Sequence, residues 1–210
     1  MTLQLYFAPG TIAGASVLAL LESRLQATFL PVDFSAAQQQ SESYLKVNPK
    51  GRVPALITDF GVLTETGAIL EYIARLAPDA GLIPDAPDAA ARMHEMMYYL
   101  ASTMHVNHAH KLRGHRWADQ ETSHQDMTAK VPETMATSCA WVEEQLSGTF
   151  VCGNALTLAD LYLFTICTWL KGDGVDITNY PKLNVHFTRM VGRDSVQTAL
   201  KQGLLPEITT

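Results

Sequence analysis

Basic residues are in short supply: 15 Lys and Arg stand against 21 Asp and Glu, a formal net charge of −6 over 210 residues. No basic stripe is available to neutralise phosphates, so a nucleic-acid partner is not expected. Long apolar runs are also missing. Nothing approaches the roughly 18 consecutive apolar residues a membrane span requires, and no membrane association is expected. The first residues, 1–6, lack the basic start and apolar core of a signal peptide. Cysteine is scarce: Cys139, Cys152 and Cys167 are odd in number, far apart and outside any Cys-x-x-Cys pattern. That usage suits a reducing cytoplasm and no structural zinc. Internal repeats and low-complexity tracts are absent too. What remains is a chain 47% hydrophobic with both charge signs present, long enough for one large domain or two small ones.

The first part of the chain alternates strands and helices. Residues 3–7 form a short apolar run, broken by Ala8-Pro9-Gly10-Thr11. Val17, Leu18, Leu20, Leu21 and Leu25 then recur at helical spacing over 13–25. Residues 28–32 read as a second strand, with Pro31 placing it at a sheet edge. Residues 36–43 are polar and lead into a short helix ending near Val47. Residues 77–88 carry three prolines and a glycine and mark the domain boundary. Beyond them, helices are expected over 89–116, over 123–146 with Pro132 as a bend or start, over 157–170, and over 181–191 and 195–200. Thr157-Leu158-Ala159-Asp160 is a capping-box pattern with Leu156 and Leu161 as its staple. The predicted architecture is a thioredoxin-like α/β domain over 1–77, a linker over 78–88, and an all-helical domain over 89–210.

The chemically informative stretch is 48–76. Asn48-Pro49-Lys50-Gly51-Arg52-Val53-Pro54-Ala55-Leu56-Ile57 is followed by the turn Asp59-Phe60-Gly61, then Val62-Leu63-Thr64-Glu65-Thr66-Gly67-Ala68-Ile69. Strands over 55–57 and 62–64 make a hairpin, and a helix begins near Thr66. A proline opening a strand cannot donate to the ladder, and X-Pro bonds are where cis peptides occur. A cis Val53–Pro54 bond would turn the Val53 N–H and C=O outward, able to pair with a short antiparallel peptide. Glu65 and Thr66, at a helix N-terminus among free N–H groups, suit the amine and carboxylate of an α-amino acid. A peptide clamp beside an amino-acid clamp points to a γ-glutamyl peptide. A plain proline-capped hairpin and capped helix is the alternative reading of the same residues.

Asn-Pro-x-Gly-x-Val-Pro-x-Leu followed, without a gap, by Leu-Thr-Glu-Thr-x-Ala-Ile resembles the glutathione-binding signature of the glutathione transferase superfamily. The resemblance covers nearly the whole chain. It implies that Val53, with Arg52 and Pro54, pairs with the cysteinyl backbone of glutathione, while Glu65 and Thr66 hold its γ-glutamyl end. It also implies that Gly153 to Asp160 is a folding element. Glutathione then enters as a substrate, with no separate cofactor, in a cytoplasmic homodimer with a detoxifying role.

Residues 5–10, the run from Glu95 to His105, and Cys152-Gly153 are similar to the bacterial beta class. That class has Cys and Ser in the first loop where this chain has Ile12 and Ala13, and a Lys after the helix-4 histidine where this chain has Val106. The group that activates the thiol is therefore left open among Thr11, Tyr6, and backbone with helix dipole alone; Thr11 also reads simply as a helix cap. His105 is expected to face the active cleft as the matching family histidine does. Met104, His108 and Trp169 are expected to line the pocket for an apolar electrophile. His105 and His108, three residues apart, share a helix face, but no His-Glu-x-x-His pattern accompanies them and no metal is expected. The expected activity is conjugation of glutathione to an apolar electrophile. Its rivals are a non-catalytic glutathione carrier or sensor, a glutathione-dependent peroxidase, and a thiol-dependent reductase, the last disfavoured by the missing loop cysteine.

Overall fold

The structure is a computed structural model that describes residues 3–208. Two compact units emerge, one holding the chain through Ile83 together with the segment from Val191 on, the other spanning Pro84–Met190.

The first unit is built on a four-stranded sheet of order β2-β1-β3-β4. The strands are β1 (Leu3–Phe7), β2 (Ala27–Pro31), β3 (Ala55–Thr58) and β4 (Gly61–Thr64). β1 and β2 run parallel, while β3 is antiparallel to both β1 and β4. Pro31 ends the edge strand β2, where its missing N–H costs no ladder bond. Helix α1 (Ala13–Glu22) is apolar enough to be buried from Ala13 through Leu20. It packs with α3 (Thr66–Leu76), whose Ile69, Leu70 and Ile73 are fully buried alongside Leu5, Leu18 and Leu56. The short α2 (Glu42–Val47) is capped by Ser41, whose hydroxyl accepts the Tyr44 N–H.

The last segment belongs to this unit, whereas the sequence reading ran the helical domain to 210. Arg193 grips the Glu22 carboxylate at the end of α1 through Nε at 2.7 Å and Nη2 at 2.8 Å, and the Ser195 hydroxyl donates to the same group. Val196 and Ala199 of the last helix, Asp194–Lys201, are fully buried. Burial alone would push the Glu22 carboxyl up, but the Arg193 and Ser195 hydrogen bonds outweigh it and hold it below the ordinary carboxylate range. A carboxyl depressed on folding contributes stability above its unfolded pKa of about 4.3, and that contribution is lost as pH falls through the folded value. Glu22→Gln is expected to cost about 1–2 kcal/mol at pH 7. Urea unfolding in progressively acidic buffers should show the gap to the parent closing; a pH-independent gap would contradict the assignment.

The second unit is helical: α4 (Pro87–Tyr99), α5 (His105–Arg113), α6 (Glu121–Gln145), α7 (Leu158–Cys167) and α8 (Pro181–Val191), which closes it. The helix expected over 89–116 is present, but Leu100–Met104 is a π-turn in its middle, with the His105 N–H bonded to the Leu100 carbonyl five residues back. Of the bend or start expected at Pro132, the start is not found: α6 runs through it. Helix α7 is buried at all ten positions, as its apolar sequence requires. Its capping box is in place, and Asp160 is wholly buried. The Asp160 carboxylate accepts from the Val151 N–H, from the Thr157 N–H and hydroxyl, and from His186 Nε2. Among the described residues no helix is long and apolar enough to cross a membrane.

Candidate functional site

Sheet register brings the first unit's candidate residues to one end of the sheet. Tyr6 pairs with Ala55, and Ala55 pairs with Thr64. With neighbouring strands about 4.8 Å apart, these three positions form a row roughly 10 Å across. The segment Arg52-Val53-Pro54 enters the row from one side, Glu65 and Thr66 leave it on the other, and β1 runs out through Phe7 toward Thr11 at the same end. Tyr6, Thr11, Arg52, Val53, Pro54, Glu65 and Thr66 thus belong to one unit and come from four separate chain segments.

The Val53–Pro54 peptide is cis, and the β3 ladder begins only at Ala55, so the Val53 main chain lies outside the register. Two side chains fix its approach. Tyr44 Oη donates to the Arg52 carbonyl at 2.7 Å and Asn48 Nδ2 donates to the same oxygen at 2.6 Å. Burial pushes the Tyr44 phenol up to about 12, so it remains a donor throughout the physiological range. Gly51 completes the turn with φ +60, and a Cβ there would lie 2.7 Å from Gln40 Nε2 and 3.1 Å from the Gln39 carbonyl. Both the left-handed backbone and the close approach demand glycine. Val53 is 8% exposed, while the Arg52 side chain projects to solvent.

Glu65 occupies φ +72, ψ 121, a region that side-chain-bearing residues avoid and that clusters at ligand clamps. Its carboxylate is exposed and paired with Lys50, whose ammonium also donates to Thr64 Oγ1 at 2.6 Å. Thr66, the first residue of α3, is buried. An anion acceptor, a hydroxyl and free helix N–H groups therefore stand together at this corner.

Thr11 precedes α1. Its hydroxyl donates to the Ala8 carbonyl at 2.7 Å and accepts the Ala13 N–H at 3.3 Å, a turn contact just ahead of the helix, whose N-cap position is Ile12. Tyr6 is half-buried, its ring meeting the Tyr44 ring edge-on at 5.5 Å. Neither position carries a thiol. Burial pushes Cys139 up to about 12, assisted by the Asp173 charge, and raises Cys152 and Cys167 as well, so none offers a ready thiolate.

In the helical unit, His105 and His108 do share a face. The Trp169 indole contacts both rings, tilted against His105 at 5.2 Å and stacked on His108 at 4.1 Å. Met104, expected at the electrophile pocket, is fully buried. The sequence missed Asp173, which is buried and bonded to His108 Nδ1 at 2.7 Å. It also missed the anchoring pair Tyr44 and Asn48. Among the described residues no group of three or more His, Cys, Asp or Glu is arranged to hold a metal ion.

A thioredoxin-like four-stranded sheet with a cis-proline segment ahead of β3, followed by a helical unit, is the architecture of the glutathione transferase fold class. Residues 1–75 match the family model for the glutathione S-transferase N-terminal domain, and 91–194 match that for the C-terminal domain. The chain belongs to the glutathione S-transferase family. It is 30% identical over 202 residues to glutathione S-transferase GstA of Escherichia coli O157:H7, covering 94% of this chain and 97% of that one. It is 32% identical to glutathione S-transferase GST-4.5 of Xanthomonas campestris over 205 residues, 95% of this chain and 98% of the relative. Among solved structures, a glutathione transferase homolog from Sulfitobacter with bound glutathione superposes with a TM-score of 0.95 at 52% identity, covering 97% and 99% of the two chains. The bacterial beta class enzyme of Sphingomonas chungbukensis gives 0.82 at 30% identity, over 95% and 98%.

Proposed function

We propose that this chain binds glutathione at the sheet edge of its first unit and conjugates the thiolate to a small apolar electrophile. The observation that carries the reading is the assembly of the cis Val53–Pro54 segment with the strained Glu65 and buried Thr66 at one end of the sheet. Val53 offers a main-chain N–H and C=O to an extended peptide, with Arg52 and Pro54 flanking it. Glu65 receives an ammonium and Thr66 a carboxylate at the α3 N-terminus. A free thiol titrates near 8.5, and the N-terminal end of α1 favours its anion. The Thr11 hydroxyl, now donating to the Ala8 carbonyl, exchanges that acceptor for the sulfur in this reading; Tyr6 is the alternative donor. On the helical unit, His105, His108 and Trp169 present an aromatic surface for the electrophile. A cytoplasmic homodimer completes the reading, as the family resemblance of the sequence implies.

The engaged Thr11 hydroxyl favours a second reading, a carrier or sensor that binds glutathione without turnover; a glutathione-dependent peroxidase would use the same thiolate. Calorimetry of glutathione binding beside a 1-chloro-2,4-dinitrobenzene assay separates them. Binding with turnover supports conjugation, and Thr11→Ala is then expected to lower kcat about 10- to 100-fold while Tyr6→Phe changes it less than threefold. Binding without turnover of the chloroarene overturns conjugation in favour of the carrier, or of the peroxidase if peroxide is consumed.

A further inference from the structure

The carboxylate read as the seat of the ligand's ammonium group already holds a cation of the chain's own. Asn48, which is buried, sets the turn before the cis segment. Its Oδ1 accepts the Lys50 N–H at 3.2 Å, its Nδ2 donates to the Arg52 carbonyl, and its carbonyl accepts the Gly51 N–H at 2.9 Å. Lys50 is thereby anchored at its main chain, three residues ahead of Val53. Its ammonium reaches the corner between β4 and α3, where it donates to Glu65 Oε1 and, at 2.6 Å, to Thr64 Oγ1. The Glu65 main chain is fixed as well: it is the N-cap of α3, and its carbonyl accepts the Ile69 N–H at 3.0 Å. One ion pair therefore links the segment read as the peptide clamp to the segment read as the amino-acid clamp.

A lysine side chain and the α-amino end of a γ-glutamyl group present the same chemistry. Each is a compact ammonium with unit charge and three donors. Glu65 Oε1 and Thr64 Oγ1 form two acceptors that suit either one. Two ammonium groups on one carboxylate repel, so the second enters at the expense of the first. Lys50 is built to leave: its stem is flexible, its side chain is 44% accessible and that of Glu65 71%, and such an exposed pair is weakly held. We propose that Lys50 is a resident occupant of the ammonium subsite, which a ligand's α-ammonium must replace at Glu65. Lys50 thereby lowers the affinity of this edge for γ-glutamyl ligands, eases release of a γ-glutamyl product, and narrows the margin over analogues lacking the amine. The inference rests on the reading that glutathione binds here and involves the first unit alone. Attraction of Lys50 to the ligand does not offset the lost pair. The γ-glutamyl head is a zwitterion without net charge. The glycyl carboxylate stands at the other end of an extended tripeptide, about 10 Å away, where 0.15 M salt screens it.

Calorimetry in 0.15 M salt with glutathione and with its des-amino analogue, glutaryl-Cys-Gly, tests this. Lys50→Met keeps the stem and removes the charge. It is expected to tighten glutathione binding about three- to tenfold while leaving the analogue's binding unchanged or weaker, since the analogue has no cation to give Glu65. Lys50→Arg, which keeps the cation, should bind glutathione within about twofold of the parent. In a Glu65→Gln background, Lys50→Met should no longer tighten binding, because the two residues act through one contact. Should Lys50→Met fold poorly, Lys50→Gln, equally uncharged, carries the same expectation. Glutathione binding that is unchanged or weaker in the uncharged variants, or tightening that is equal for both ligands, overturns the proposal and leaves Lys50 a surface partner of Glu65. Those results would leave the glutathione reading standing. Absence of glutathione binding in both the parent and Lys50→Met would overturn that reading, and this inference with it.

Discussion

Replacing Asp160 with alanine is expected to lower stability by about 3–5 kcal/mol, the cost of breaking a buried charged network by removing one partner. For a chain of this length that corresponds to a fall of roughly 10 °C in melting temperature. The size follows from the geometry. One carboxylate accepts from the Val151 and Thr157 N–H groups, the Thr157 hydroxyl and His186 Nε2, all at 2.8–2.9 Å and all away from solvent. A capping box at an exposed helix start is worth about 1 kcal/mol. Here the same box also ties the loop before α7 and the side chain of α8 to the helix N-terminus. Asp160→Asn keeps the shape but turns an N–H₂ toward other donors, so it should recover little. Activity per folded molecule should persist, because this network shares no residue with the glutathione edge. Melting within 0.5 kcal/mol of the parent would show that the network is not holding the unit together.

Glu65→Ala is expected to act in the opposite way, on binding with little effect on folding. Two charge-assisted hydrogen bonds to an α-ammonium group are worth about 2–3 kcal/mol, or roughly 30- to 150-fold in the glutathione dissociation constant. Within the fold its carboxylate makes an exposed pair with Lys50, its side chain 71% accessible, and such pairs contribute about 0–1 kcal/mol. Alanine at φ +72 retains the backbone strain, so the melting temperature should move by no more than a few degrees. Glu65→Gln separates charge from shape and should retain part of the affinity. Calorimetry with glutathione reads both variants; tight binding by Glu65→Ala would remove this carboxylate from the site.

The contrast between these two residues shows which features local sequence carries. The capping box, the edge proline Pro31, the linker and the hairpin with its following helix are all written in contiguous residues, because their causes are backbone causes: a missing N–H, a left-handed turn, a side chain reaching its own helix start. The hairpin that sets Ala55 opposite Thr64 was legible for the same reason, whereas the β1–β3 pairing that adds Tyr6 was not. What escaped depends on pairs far apart in the chain. His108 and Asp173 are separated by 65 residues and Glu22 and Arg193 by 171, and no periodicity marks either pair. Tyr44 and Asn48 are closer to Arg52, yet their aim at its carbonyl exists only after α2 and the Gly51 turn have formed. Thr11 was ambiguous in sequence because a hydroxyl before a helix serves equally as cap or donor. In the structure its hydroxyl is bonded to the Ala8 carbonyl and the Ala13 N–H, and a bound sulfur would display the other role.

A structure of the protein with glutathione bound measures directly how a thiol tripeptide sits against the first unit. The expected result is the cysteinyl N–H and C=O of glutathione each within about 2.7–3.2 Å of the Val53 main chain, its ammonium on the Glu65 carboxylate and its α-carboxylate at Thr66. Glutathione bound elsewhere, or a saturated crystal in which Val53 and Glu65 touch no ligand, would contradict it.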